Sequence, residues 1–595
     1  MRKLAVLGAL VLMLSASALA QSPAAGSDTE RLYKLFDDDW KWAMTEFPEF
    51  ATFAGYPGQN HRWTDNSPEA IARRKQRPPQ SLKVLDSIDR TKLSPADQLN
   101  YDLYRRFMQD QLDGQRFPFE YIQVSQLSGP QTAVGQILAV MPTFTAKDYE
   151  NILARLNGVP TLIDQAIVLL NKGLETKITP PRVTLRDVPQ QVKNVLVDDP
   201  AKSPFFQPFT RMPDSIPAAE RERLANAAKA AIAEKVLPAF RKFHDYLVNT
   251  YLPGTRETIA LSNLPDGQAW YAYMARLSTT TDLTPKQIHE IGIAEVKRIR
   301  AEMEKIIQET SFQGSFADFK KFLKDDPKFF YADGESVLNA YRAIAKRADP
   351  ETVKLFGTVP RLPYGVIRVP EHMAKSAPAA YYQPGTLEAG RPGNFFVNTY
   401  DLKTHQKWQM EALVLHEAVP GHHFQGSIAL ELPGKTPQFR KQLGNTAYVE
   451  GWGLYAESLG YEMGFYKDPY AKFGQLNYDM WRAVRLVLDT GIHAMGWSRQ
   501  QAIDYFLENT VLSDHEVVVE VDRYIVWPGQ ALGYKIGQLK FKELRAYATQ
   551  ELGQSFSLRA FHDQLLGSGA LPLSILEERT KAWVAEQKTQ RASTN

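Results

Sequence analysis

The sequence predicts a mainly α-helical protein, a single unit in two helical lobes, with a small β-sheet set immediately before a histidine-rich helix. Three observations carry this. Apolar residues recur at helical spacing over most of the chain. Hydroxyl-proline pairs mark helix starts. The only strand-like stretch, Leu362 to Thr399, stands just ahead of His416-Glu417-Ala418-Val419-Pro420-Gly421-His422-His423, which packs three of the eleven histidines into eight residues.

Taken in order, the chain begins with Arg2 and Lys3 before an apolar run from Leu4 to about Leu14. Ala18-Leu19-Ala20 then precedes Gln21. A basic start, a short apolar run and a small-x-small site read as a secretory signal peptide over residues 1–20, so the mature protein is expected in the periplasm or secreted. Amphipathic helices are predicted over Asp28 to Thr45, Pro95 to Gln111, Ala146 to Glu175, Ala218 to Tyr251 and Thr284 to Thr310, with several more after Lys403. Ser94-Pro95-Ala96-Asp97 and Thr284-Pro285-Lys286-Gln287 supply caps, each with an acid or amide three residues after the hydroxyl. Tyr364 to Val369, Ala380 to Gln383 and Asn394 to Asn398 read as short strands between Pro and Gly turns. An edge of that sheet is a place for an extended peptide to add as a strand. No repeat, low-complexity tract or linker interrupts residues 21–595, and the metal-site core is expected within about 360–540.

Composition narrows the function classes. Lys and Arg number 70 against 67 Asp and Glu, a net charge of +3, and cleavage after Ala20 leaves about +1. Nothing in that balance points to nucleic acid. Past the signal no apolar stretch of about eighteen residues is evident, so no membrane span is expected in the mature chain. With no cysteine, disulfides, a thiolate nucleophile, a Cys-type zinc site and a lipid-anchored N-terminal cysteine are excluded for this sequence.

The histidine segment has the composition of a catalytic zinc site, because imidazoles bind Zn²⁺ and a carboxylate beside an open coordination position can take a proton from water. Its spacing is unusual. Residues i and i+4 share a helical face, whereas i and i+6 point about 120° apart, so neither His422 nor His423 joins His416 on a regular helix. Pro420 lacks an amide hydrogen and Gly421 is permissive, so a two-residue bulge would return His422 to the place of i+4. The reading takes His416 and His422 as ligands and His423 as a supporting or substrate contact, with an exchange of the last two as the alternative. Glu450, 28 positions after His422 on a helix expected from Asn445 to Met463, is the third ligand. Glu457, two turns later, is placed to orient a ligand imidazole.

These residues resemble a large bacterial family of mostly secreted proteins, catalogued as a domain of unknown function, with H-E-x-x-P-G-H-H followed by E-G-W-x-L-Y-A-E. Here the motifs are His416 to His423 and Glu450 to Glu457, with Gly453 where the pattern more often has alanine. The likeness extends to Arg482 through His493, to Arg523-Tyr524 and to Pro528-Gly529-Gln530-Ala531-Leu532, most of the mature chain. More distantly the order of two histidines and a later helical glutamate is similar to the thimet-oligopeptidase, angiotensin-converting-enzyme and carboxypeptidase Taq group, whose Gly-His-Ala matches Gly421-His422-His423. That resemblance implies a helical zincin-like metallopeptidase with a deep cleft, and favours His422 over His423.

The remaining assignments follow from chemistry. Tyr524 and Tyr534 flank Trp527-Pro528-Gly529-Gln530 and carry hydroxyls suited to an oxyanion. Arg523 suits a substrate carboxylate, and His493 shares a helix with Arg482, Arg485 and Asp489. The expected activity is hydrolysis of short peptides with Zn²⁺ as cofactor and Glu417 as general base and acid. Alternatives are a hydrolase of non-peptide amides or esters, a non-catalytic periplasmic peptide- or metal-binding protein, and an iron redox enzyme in which Glu417 has no evident role.

Overall fold

The computed structural model describes residues 26–374, 378–386 and 390–594, so the signal peptide expected over residues 1–20 lies outside the described residues. Helices dominate, and their ends follow local chemistry. Asp28–Glu46, Pro95–Gly114, Ala146–Thr176 and Pro285–Glu309 start and stop within a few residues of expectation. Ser94 Oγ accepts from the Asp97 amide at 3.2 Å. Thr284 Oγ1 accepts from the Gln287 amide at 3.3 Å while Gln287 Oε1 accepts from the Thr284 amide at 2.9 Å. Each such cap is worth about 1 kcal/mol.

Two expectations needed correction. The stretch Ala218 to Tyr251 is not one regular helix, for Ala218–Ala231 and Leu237–Tyr246 are each followed by a wider π-turn, Ile232–Val236 and Leu247–Tyr251. Pro238 and Pro253 sit just beyond those turns, and a residue with no N–H to give relaxes the ladder there. The absence of a long apolar helix also fails once: Ala146–Thr176 is long and apolar enough to cross a membrane by length and composition, with a mean hydropathy of 1.3. In the fold it is a core helix. Leu156, Val159, Ile163 and Leu170 are buried in one cluster with Leu224, Phe240 and Phe243. Arg155 on the same helix is fully buried and donates to Thr52 Oγ1 at 2.8 Å.

Residues 124–251 thus surround one core of their own, and a second set of clusters gathers around the long helix Pro469–Ala494. That helix is crossed by Pro285–Glu309 and by Leu532–Leu552. Lys535, fully buried, ties the three together by ion pairs to Asp479 at 2.7 Å and Glu295 at 2.9 Å. Removing one partner from a cluster taken so far out of water would leave a buried charge uncompensated, which is strongly destabilising. Leu532–Leu552 also packs on Thr446–Ser458, the helix of Glu450. A Cβ on Gly451 would stand 2.5 Å from the Gly537 Cα, so only glycine permits this approach.

The sheet has three short strands, β1 (Tyr364–Arg368), β2 (Ala380–Gln383) and β3 (Gly393–Val397), in the order β1-β3-β2. β3 pairs parallel with β1, Val366 opposite Phe395, and antiparallel with β2, Tyr382 opposite Phe395. Gly393, Phe395 and Val397 face the core in strict alternation, with Tyr341 edge-on to Phe395 at 5.5 Å. β2 is left at the edge, where Tyr381 and Tyr382 line the main cleft.

Candidate functional site

Two short helices carry the histidines. Met410–Glu417 stops at Glu417 and His422–Leu430 begins at His422, with non-helical dihedrals at Ala418 (φ −103, ψ −104) and Gly421 (φ −76, ψ −132). The bulge expected inside one helix is therefore a complete break. Pro420 has no amide to continue the ladder, and Gly421 folds back so tightly that any Cβ would overlap the His416 carbonyl. Trp452, from the glutamate helix, donates its indole N–H to the Pro420 carbonyl at 2.8 Å and anchors the link.

The break turns His422 back toward His416. Their rings meet nearly perpendicular, 86°, with centroids 4.7 Å apart. Glu450 closes the set: its Oε2 lies 3.3 Å from His422 Nε2 and 3.6 Å from His416 Nε2, and the three ligand atoms fall within 4.8 Å of one another. Donors on a tetrahedral ion with bonds of about 2.05 Å are separated by about 3.3 Å. The donor set therefore fits a small tetrahedral cation. Glu450 Oε2 is buried and makes no hydrogen bond of good geometry, as befits an atom whose lone pair faces two imidazole nitrogens. Gly453 lies under both rings, and an alanine Cβ there would come within 2.9 Å of His416 Cε1 and 3.1 Å of His422 Cε1.

Glu457 does what its position two turns beyond Glu450 proposed. Its Oε1 is 2.8 Å from His416 Nδ1, with both side chains buried, which fixes the ring so that Nε2 faces the cluster. Burial alone would lower the His416 pKa, but the nearby Glu450 carboxylate, the bond to Glu457 and the charges of Glu457 and Glu417 raise it to about 9. Glu450 moves oppositely: burial opposes its ionisation, yet the two histidines hold its carboxyl well below the usual range. The surroundings favour positive charge at this point. Glu417, the next residue after His416, is half-buried, lines the same cleft and makes no hydrogen bond or ion pair among the described residues.

His423 points elsewhere. It is buried, its Nδ1 is 2.9 Å from the Tyr382 hydroxyl and 3.3 Å from Ser427 Oγ, its ring lies against Tyr364, and burial lowers its pKa to about 4. It supports the sheet from behind, so its assignment as a substrate contact is corrected. His493 is corrected likewise. It is fully buried, accepting from the Leu261 amide at Nδ1 (3.0 Å) and donating from Nε2 to the Tyr524 carbonyl (2.9 Å).

The two tyrosines part company. Tyr524 is 1% exposed, and its hydroxyl accepts from Trp481 Nε1 and Arg485 Nε and spends its one proton on Glu520 Oε2 at 2.8 Å. It has none left for an oxyanion, so that role is withdrawn. Tyr534 lines the cleft, and its hydroxyl accepts from Arg523 at 3.1 Å, leaving its proton free. Arg523 also lines the cleft but is held by Glu520 at 3.2 Å and Gln530 at 3.0 Å.

The cleft measures about 1550 Å³. Trp40, Phe53, Tyr56 and Leu127 line it together with His416, Glu417, His422, Glu450 and the β2 edge. Small-molecule pockets run to roughly 300–1,000 Å³, so this volume suits a flexible chain. Tyr478, which sequence reasoning passed over, also faces it. Burial raises its pKa, as do Glu457, Glu516 and Glu417, while Arg482 lowers it. Its hydroxyl has no partner among the described residues. The signal was available: Tyr478, Arg482 and Arg485 form an i, i+4, i+7 stripe on one helix.

Taken together, the chain is a mainly helical protein with a small three-stranded sheet and a cleft holding a two-histidine, one-glutamate cluster. It belongs to the DUF885 family, bacterial proteins of unknown function, which it matches over residues 48–580. A structure from Colwellia psychrerythraea described as a candidate lipoprotein is similar over 94% of this chain and 100% of its own, with 28% identity and a TM-score of 0.87. Another candidate lipoprotein of unknown function, from Shewanella oneidensis, shares the fold at 18% identity and a TM-score of 0.69, over 93% and 99% of the two chains. No curated protein matches the chain.

Proposed function

We propose that this protein is a secreted zinc-dependent peptidase of zincin-like design that hydrolyses short peptides. The observation that carries the reading is the convergence of His416, His422 and Glu450 within 4.8 Å, with the unpartnered carboxylate of Glu417 beside them in one cleft. Two imidazoles and a carboxylate form a hydrolytic zinc pattern. When bound there, zinc supplies Lewis acidity, polarising a carbonyl and lowering the pKa of water.

The chain's own residues supply the rest. Glu417 takes the proton of the attacking water and passes it to the leaving nitrogen. Tyr534 holds a free hydroxyl proton, oriented by Arg523, for the oxygen on which charge develops, and Tyr478 offers a second. Glu457 keeps His416 in one tautomer. The exposed edge of β2 gives an extended backbone a partner.

Metal analysis of the purified protein, combined with mass spectrometry of a digested peptide library, tests the reading. About one zinc per chain and cleavage abolished by chelation and restored by zinc are expected. Zinc-loaded protein that cleaves no peptide but does cleave a simple ester or amide would move the assignment to a broader hydrolase. Protein that binds no metal would end it.

A further inference from the structure

Among the charged side chains that line the cleft, Arg482 has no role in the mechanism above. Arg482 is only 5% exposed, lines the cleft, and has no ion pair or hydrogen bond among the described residues; its Nε and Nη1 are buried without a partner. Its guanidinium carbon instead stands 4.6 Å from the Tyr478 ring and 4.7 Å from the Trp481 ring. A buried guanidinium without a counter-ion is costly to keep, and two aromatic faces offset only part of that cost.

Its neighbours do not neutralise it. Arg485, nearly one turn further on and 2% exposed, and Arg523 share one carboxylate, that of Glu520, at 3.1 Å and 3.2 Å. Arg485 Nη1 and Arg523 Nε are again buried without partners. Three guanidiniums stand with the Glu520 and Glu516 carboxylates along the cleft, so the positive groups here still outnumber the acids, and Glu520 alone pairs with any of them. Unfilled N–H donors on rigid, planar, buried groups are what bidentate recognition of a carboxylate requires.

We propose that Arg482, backed by Arg485, binds a carboxylate of the substrate. The inference rests on the peptidase reading, to which it adds a substrate class: peptides anchored through a negatively charged end or side chain. A free C-terminal carboxylate and an Asp or Glu side chain present the same chemistry, and the experiment separates them.

The test is equilibrium binding to zinc-loaded protein carrying Glu417→Gln, which leaves probes intact. Five probes are used: a short peptide without Asp or Glu as free acid and as C-terminal amide, the amide with one internal Glu, and the pair 4-phenylbutyrate and 4-phenylbutyramide. A terminal-carboxylate site gives the peptide acid an advantage of about tenfold or more over its amide, with no rescue by the internal Glu; a side-chain site gives the rescue. In Arg482→Met the advantage should fall below about threefold, and in Arg482→Lys, which keeps charge but not the planar fork, it should be intermediate. Equal binding of acid and amide in both pairs overturns the proposal with no Arg482 variant needed. So does a preference that survives Arg482→Met. If phenylbutyrate is preferred in an Arg482-dependent way while no peptide binds, the carboxylate site stands and the peptidase reading falls.

Discussion

Replacing Glu457 by Gln is the most direct probe of how the cluster is built. The carboxylate is fully buried, 0% exposed beside a His416 that is 3% exposed, and lies 2.8 Å from the imidazole Nδ1. Glutamine keeps an oxygen for that contact, so the ring should stay oriented, but the negative charge that makes the imidazole a stronger donor is gone. Such partners of metal-ligating histidines are typically worth about 10–100-fold in metal affinity. The amide also sets an NH₂ group where Glu457 Oε2 now has no partner, and a buried unsatisfied donor costs about 1–3 kcal/mol. Zinc affinity, read by competition with a chromophoric chelator, should therefore fall by at least tenfold. Melting in excess chelator should reveal the stability cost separately. Glu222→Gln, on the exposed face of Ala218–Ala231, should change neither. A folded Glu457→Gln protein whose zinc affinity stays within about threefold of the parent would refute the claim that Glu457 tunes His416.

The other expectations are simpler. His422→Ala should lose most bound zinc, whereas His423→Ala should keep it and lose about 2–4 kcal/mol of stability through the space left beneath Tyr364 and Tyr382; the reverse pattern in elemental analysis would exchange their roles. Glu417→Gln should retain zinc and melting temperature but lose about 10²–10⁴-fold in peptide turnover, and near-normal turnover would remove Glu417 as base. Asp489 is fully buried, and burial raises its pKa to about 7 against the bonds from Tyr271 and Gly529. Its folded pKa lies above its unfolded one, so its contribution is complete below about pH 4 and is lost as pH rises through about 7. Each pKa unit is worth about 1.4 kcal/mol, so the effect is on the order of 4 kcal/mol. Asp489→Asn, whose oxygen keeps both bonds, should flatten the fall in denaturation free energy between pH 4 and 7; an unchanged slope would show that Asp489 is ionised throughout.

The fold was legible wherever local chemistry decides structure. Caps at Ser94 and Thr284 and the 3.6-residue pattern located helices to within a few residues, and all three strands were found because Pro and Gly bound them. The Pro238 and Pro253 turns were not found, since a proline in a helical pattern announces a disturbance and not its form. For the site, the residue types in two sequence motifs, His416 to His423 and Glu450 to Glu457, pointed to His416, His422 and Glu450, which the fold brings together. The assignment of His423 and the tyrosines was harder, because a side chain's partner is set by elements distant in sequence. Tyr524 differs from Tyr534 only in that Trp481, Arg485 and Glu520 surround it. Arg482 lay in a recognised motif, but only the fold shows that its neighbours leave it without a carboxylate.

The cleft holds two groups of charge. Glu417 and Glu450 line it beside the histidines, with Glu457 behind His416, while Arg482, Arg485 and Arg523 outnumber Glu516 and Glu520. Tyr478 joins the two, since its ring carries Arg482 at 4.6 Å and its hydroxyl feels Glu417. A peptide is itself a dipolar ligand, and in a walled groove the field between separated charges of opposite sign reaches further than in open water. Under the proposed carboxylate anchor, a backbone that continues past Tyr478 toward Glu417 would bring its carbonyls to the Tyr478 and Tyr534 hydroxyls. Orientation would then come from the arginines and chemistry from the glutamates. Such an arrangement places little demand on the side chains between, and it excludes a folded protein, whose unfolding would cost on the order of 5–15 kcal/mol before one end could enter.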